Sequence, residues 1–112
     1  MIMKKVILFA AIIGVTAALS AKADDAAKDI WTAHCVLCHG ADGKGQTKMG
    51  AKLGIRDFTD AKVQADIKDD AAFKALRNGL QNADGKTLMK PFDSLTDDQI
   101  KSLIAYVRSL KG

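Results

Sequence analysis

Proline occurs once, and cysteine and histidine twice each, in this chain of 112 residues. Those four side chains are the whole supply of thiolate and imidazole, so a structural zinc site would have to use every one of them. His34 and His39 point to different sides of a helix, which leaves such a site without its fourth ligand. No segment alternates with period two for long enough to suggest a sheet, and no internal repeat or low-complexity tract is present. The length itself leaves room for one domain, which excludes a multidomain enzyme.

A long apolar run is also missing. Val6 to Leu19 spans 14 residues, or ~21 Å of helix at ~1.5 Å per residue, against a hydrocarbon core of ~30 Å. Lys4 and Lys5 precede that run, and Ala21-Lys22-Ala23 follows it as a small-x-small site. Residues 1–23 are therefore predicted to be a cleaved secretory signal rather than an anchor, and no cysteine stands where lipid attachment would need one. The mature chain, residues 24–112, is expected outside the cytoplasm, in an oxidising compartment such as a periplasm.

Cleavage changes the balance of charge. Three of the 17 basic residues leave with the leader and none of the 13 acids does, so the formal charge falls from +4 to +1. Nucleic acid thereby loses its main argument as a partner. The apolar share of the 89 remaining residues is about 42 %, slightly below the usual globular range. A domain of that size is marginal without a staple.

Cys35-Val36-Leu37-Cys38-His39 supplies one. Two cysteines three apart, followed directly by histidine, read as a c-type haem attachment. Positions i and i+3 share a helix face, so both sulfurs can reach the vinyl groups on one porphyrin edge, and His39 then turns towards the iron as the proximal ligand. A redox dithiol would instead sit at a helix start after a strand; the residues before Cys35, Ala26 to Ala33, are helix-like and no βαβ pattern is visible. A simple disulfide is the remaining use of the pair.

The rest of the chain reads as helix and loop. Asp24 or Asp25 can cap a first helix running to about Cys38. Gly40 to Gly54 holds five glycines and reads as a loop wrapped over something. A short helix is predicted from Asp57-Phe58-Thr59-Asp60 through Ile67, and another from Ala71 to Asn78, capped by Asp69 or Asp70 and stopped by Gly79. Thr96-Asp97-Asp98-Gln99 is a capping box, followed by an apolar stripe of Ile100, Leu103, Ile104, Val107 and Leu110.

Elimination narrows the second axial ligand. His34 lies within about a turn of His39, on the same side of a porphyrin, so the mature chain offers Met49 and Met89. Thioether is the common partner of histidine in electron-transfer haem proteins. Met89 follows His39 by 50 residues and precedes Pro91, whose fixed φ stiffens a loop.

With these features in order, the sequence resembles the class I c-type cytochromes, small soluble electron carriers. The resemblance spans essentially the whole mature chain: Trp31, the Cys35 to Gly40 motif, the glycine-rich Ala41 to Gly45, Met89-Lys90-Pro91-Phe92, and the last helix with Leu103 to Val107. It implies an all-α fold, three to five helices around one covalently bound haem c. It implies Met89 as the distal ligand, since the class carries methionine close before a proline ahead of the last helix; here Lys90 intervenes. It implies an aromatic contact of Trp31 with Tyr106 where the first helix crosses the last. The class takes a proline carbonyl in the post-haem loop as acceptor for the proximal histidine; this loop has no proline, and a carbonyl between Met49 and Leu53 is the expected substitute.

The function implied is one-electron transfer between extracytoplasmic redox proteins by a monomer. Lys44, Lys48, Lys52, Lys86 and Lys90 lie in the two loops expected to frame the haem edge, where they can steer a donor or acceptor. Arg56 is either a propionate partner or a solvated surface residue. Two ionised propionates would take the holoprotein to a net charge of about −1. The competing readings are a haem sensor or peroxidase-like protein with an open distal site, and a cytochrome subunit of a larger complex.

Overall fold

The computed structural model describes the backbone of residues 16–112 and the side chains from Asp25 onward. The predicted leader lies largely outside the described residues. Six helical segments and one small hairpin follow in order: α1 Thr16–His34, α2 Val36–His39, α3 Lys48–Leu53, α4 Ala61–Asp66, α5 Asp69–Asn78, β1 Leu80–Gln81, β2 Thr87–Met89 and α6 Asp97–Ser109. The all-α class holds, with one segment more than the three to five expected.

Helix α1 begins upstream of the expected Asp24 or Asp25 cap, because nothing in the alanine-rich stretch from Thr16 stops a helix. Its ladder runs on into α2: the Cys35 amide donates to Trp31 O at 2.8 Å and the His39 amide to Cys35 O at 2.9 Å. The break at Cys35 (φ −115°) is a local irregularity in one helical arm that carries the whole cysteine motif.

The Gly40 to Gly54 loop contains a short helix that sequence reading missed. Thr47 caps α3 by accepting from the Gly50 amide at 2.8 Å, and Gly54 ends it in a left-handed conformation (φ 67°). Glycine is required at position 50 for another reason. A Cβ there would collide with Gly45 O and stand 2.9 Å from Cys38 O, so α3 lies directly on the backbone of the motif.

Helix α4 starts where expected, Asp60 accepting from the Lys62 amide. In α5 the cap differs: Lys68 holds the cap position, and Asp69 and Asp70 occupy the first turn, where their charge suits the positive helix end. The β1–β2 hairpin was not foreseen, since two- and three-residue strands are too short for period two to show. Its turn is built by Asn82, whose Oδ1 accepts from the Asp84 and Lys86 amides, and by Gly85 at φ 80°. Asp84-Gly85 was the available signal.

Helix α6 starts at the predicted capping box, with Thr96 and Gln99 bonded reciprocally. It crosses α1 at the buried Ala27 and at Trp31, which meets Tyr106 at 5.5 Å between ring centroids as the resemblance implied. Among the described residues only Ala27, Trp31, Cys35, Val63, Ile100 and Leu103 are buried apolar side chains. Ile104, Val107 and Leu110, the rest of the α6 stripe, stay half-buried. That is a thin core for a domain of this length.

Candidate functional site

The missing apolar volume is a cleft of about 1010 Å³, at the upper end of the ~300–1,000 Å³ usual for cofactor sites. It is lined by Cys35, Cys38 and His39 of the α1–α2 arm, by the β2 residue Met89 and by the α6 residues Ile104 and Val107. Met49 of α3 lines it too. Residues separated by half the chain thus share one surface.

Each candidate is positioned by its element. Both cysteines are unbridged, one helical turn apart on the arm. Burial, reinforced by the neighbouring Cys38, pushes the Cys35 thiol up to about 11. The nucleophilic cysteine of a redox dithiol is displaced the opposite way, so the dithiol reading loses support. Among the described residues no cluster of three or more histidine, cysteine or acidic side chains forms, and the zinc reading finds no ligand set.

His39 is held below its ordinary pKa by burial, which favours the neutral imidazole that a metal requires. Its ring stacks on Phe58 at 5.0 Å and tilts against Trp31 at 5.5 Å. Nδ1 is sealed in without a hydrogen-bond partner, so Nε2 is the nitrogen left to reach the cleft. The substitute carbonyl expected between Met49 and Leu53 does not bond it. Trp31 Nε1 is the other buried polar side-chain atom left unpartnered among the described residues. Paired thiols, a half-buried imidazole kept neutral and half-buried aliphatics around one apolar cleft fit a haem.

Met89 is fixed by backbone. It pairs with Leu80 across the hairpin, and Gly79 lies beneath it: a Cβ at Gly79 would stand 2.5 Å from Met89 O and 2.9 Å from Pro91 N. Gly79, read from sequence as a helix stop, is therefore also the seat of the Met89 segment. His34 is exposed, with its ring edge-on to Phe92 at 6.0 Å.

The rim is polar and mostly basic. Lys52, Lys86 and Lys90 line it as expected, whereas Lys44 and Lys48 do not. Arg56 lines it and pairs with Asp66 at 2.8 Å, both side chains being about half exposed. Such a pair contributes little stability. Leu37, 78 % exposed, and Leu80 are exposed apolar residues that also line the cleft.

Sequence reading missed three supporting residues. Buried Gln64 donates from Nε2 to Phe58 O at 2.7 Å and to Val107 O at 2.8 Å. Arg108 donates to Gln64 O, Gln64 Oε1 and Ile67 O, at 2.6 to 3.0 Å, tying α4 to α6. Phe58, read only as part of a helix start, is the platform under His39. No local pattern marks a side chain whose partners are backbone carbonyls more than 40 residues away.

Among the described residues no helix is long and apolar enough to cross a membrane. The cytochrome c family model matches residues 25–111. Cytochrome c2 of Rhodospirillum rubrum is 30 % identical over 130 aligned positions, covering 93 % of each chain. The solved structure of the KustC0563 c-type cytochrome is 33 % identical with a TM-score of 0.65, covering 77 % of this chain and 98 % of that one. A mutant of the same cytochrome superposes with a TM-score of 0.62 at 34 % identity, over 76 % of this chain and 98 % of that one. With the cleft, the thiol pair and the helical arm, these matches establish that the chain belongs to the cytochrome c family, as a class I c-type cytochrome carrying covalently bound haem c.

Proposed function

We propose that this cytochrome is a one-electron carrier between extracytoplasmic redox proteins, with haem held through thioethers of Cys35 and Cys38 and ligated by His39 and Met89. The observation that carries the reading is the convergence of all four side chains on one apolar cleft. When bound, the haem supplies the reversible Fe(III)/Fe(II) couple. Cys35 and Cys38 would hold it through thioethers, and the neutral His39 would offer it an imidazole lone pair. Met89 would offer a soft, uncharged thioether, which favours the reduced state. Both ligands sit on backbone that cannot shift freely, so little reorganisation accompanies transfer. With His39 and Met89 both available to it, the haem iron would be left no vacancy for substrate, and this favours a carrier over an open-site sensor or peroxidase.

Residues 1–23 act in this reading as a secretory signal, and the mature chain from Asp24 works as a monomer. The likeness to cytochrome c2 of Rhodospirillum rubrum supports the extracytoplasmic assignment. Lys52, Lys86 and Lys90 around the exposed Leu37 and Leu80 suit a redox partner with an acidic rim.

The test is the optical spectrum of the secreted holoprotein, recorded for wild type and Met89→Ala. A low-spin ferric form with the methionine charge-transfer band, lost in the variant and unreactive towards carbon monoxide when reduced, supports the proposal. A high-spin form that binds carbon monoxide readily sinks the carrier. Met49 also lines the cleft, so a band surviving in Met89→Ala moves the ligand to Met49. Size exclusion separates a free monomer from a complex subunit.

A further inference from the structure

A histidine bound to metal through Nε2 carries its proton on Nδ1, and that N–H ordinarily donates to a carboxylate, a carbonyl or water, which fixes the ring and raises its basicity. His39 has no such acceptor among the described residues, and its Nδ1 is sealed from solvent. The sole proline, Pro91, lies in the Met89 segment instead of the loop after the motif. With no protein acceptor in reach among the described residues, packing is the means on hand for setting the imidazole plane.

Two aromatic rings stand in that place. Phe58 lies against the face of His39, 5.0 Å between centroids with planes only 19° apart. Trp31 closes a second side at 5.5 Å, and Trp31 and Phe58 meet each other at 6.3 Å. Neither ring is free to retreat. Trp31 is 3 % exposed and backed by Tyr106. The backbone of Phe58 is pinned from both sides: its amide donates to Gly43 O at 2.9 Å, and its carbonyl accepts from the buried Gln64.

We propose that Phe58 and Trp31 orient His39 by packing, in place of the usual hydrogen bond, with Phe58 as the principal positioning residue. The inference rests on the reading of His39 as iron ligand. An imidazole whose N–H is unshared is a weaker electron donor, so this arrangement favours the reduced state.

Isotope-labelled ferrous holoprotein tests it directly by NMR. A His39 Nδ1–H resonance without scalar coupling to any backbone carbonyl carbon is the expected result; such a coupling overturns the proposal without any variant being needed. In the ferric protein the spread of the haem-methyl resonances reads the imidazole plane. Phe58→Leu is expected to change that spread and to admit water to Nδ1. The reduced-to-oxidised ratio at fixed potential then falls about tenfold, 59 mV for one electron. Phe58→Tyr is expected to restore both values. Unchanged methyl shifts and potential in a folded Phe58→Leu protein also overturn the inference. Failure of the underlying ligation looks different: His39→Ala would keep its low-spin spectrum, and the wild-type His39 ring would lack ring-current-shifted signals.

Discussion

Thr47 Oγ1 donates a 2.6 Å hydrogen bond to the carbonyl of Cys38 and accepts another at 2.8 Å from the Gly50 amide. One hydroxyl thus caps α3 and ties it to the last turn of the cysteine motif. With Gly50 packed on the same carbonyl, the loop helix that carries Met49 is registered against the cysteine motif.

Thr47→Val removes donor and cap together while keeping the shape. A lost cap costs ~1 kcal/mol and an unpaired part-buried carbonyl about as much again. Thermal unfolding of the holoprotein should show a Tm about 10 °C lower, at ~4–8 °C per kcal/mol for a domain this small. A Tm within 2–3 °C of wild type, on the same ~4–8 °C scale, would show that the hydroxyl does not hold the loop.

Gly79 takes φ 77° and ψ −177°, a region open essentially to glycine alone. Gly79→Ala also forces a methyl to 2.5 Å from Met89 O. The cost is ~1–3 kcal/mol from strain, with displacement of the β2 strand. Chemical denaturation should show that loss, accompanied by weakening of the methionine charge-transfer band. Loss of stability with an intact band would separate Gly79 from the placement of Met89.

Arg108 joins an exposed partner, Asp69, to backbone and side-chain oxygens of Gln64 and Ile67. Asp69 is 75 % exposed and the pair is screened, so Asp69→Asn should shift stability by no more than ~0.5 kcal/mol. Arg108→Met strands part-buried acceptors and should cost ~2–3 kcal/mol. Equal effects of the two substitutions would show that the ion pair, rather than the carbonyl contacts, joins α4 to α6.

Asp57 is held below its ordinary carboxylate range by hydrogen bonds from the Thr59 hydroxyl and amide, helped by Lys44. A depressed folded-state value means that the unfolded chain takes up the proton first. The contribution is therefore present above the unfolded value of ~3.9 and is lost as pH falls from there through the folded value. Asp57→Asn should flatten the acid limb of the stability curve below about pH 4 and leave its slope at neutral pH unchanged. An unaltered acid limb would show that the hydrogen bonds do not discriminate between the two charge states.

The pattern of Cys35, Cys38 and His39 was readable as an attachment motif because that chemistry dictates spacing within one helical turn, and a turn is local. The α6 capping box and stripe were legible for the same reason. Short strands β1 and β2 were not, because their hydrogen bonds depend on a turn that Asn82 closes. Helix α3 hid among glycines, its existence resting on Thr47 reaching back nine residues to Cys38.

The sequence alone determined an all-α chain with a covalent attachment motif, a short core and two methionines, Met49 and Met89, beyond the N-terminal segment. Local spacing and composition decide those properties. Tertiary structure decided which surface the motif faces, that Met89 rides on a hairpin seated on Gly79, and that Phe58 and Trp31 surround His39 where an acceptor was expected. Those relationships join residues 8 to 19 positions apart, in different turns and loops, so no local spacing rule marks them and only the packed chain brings them within contact distance.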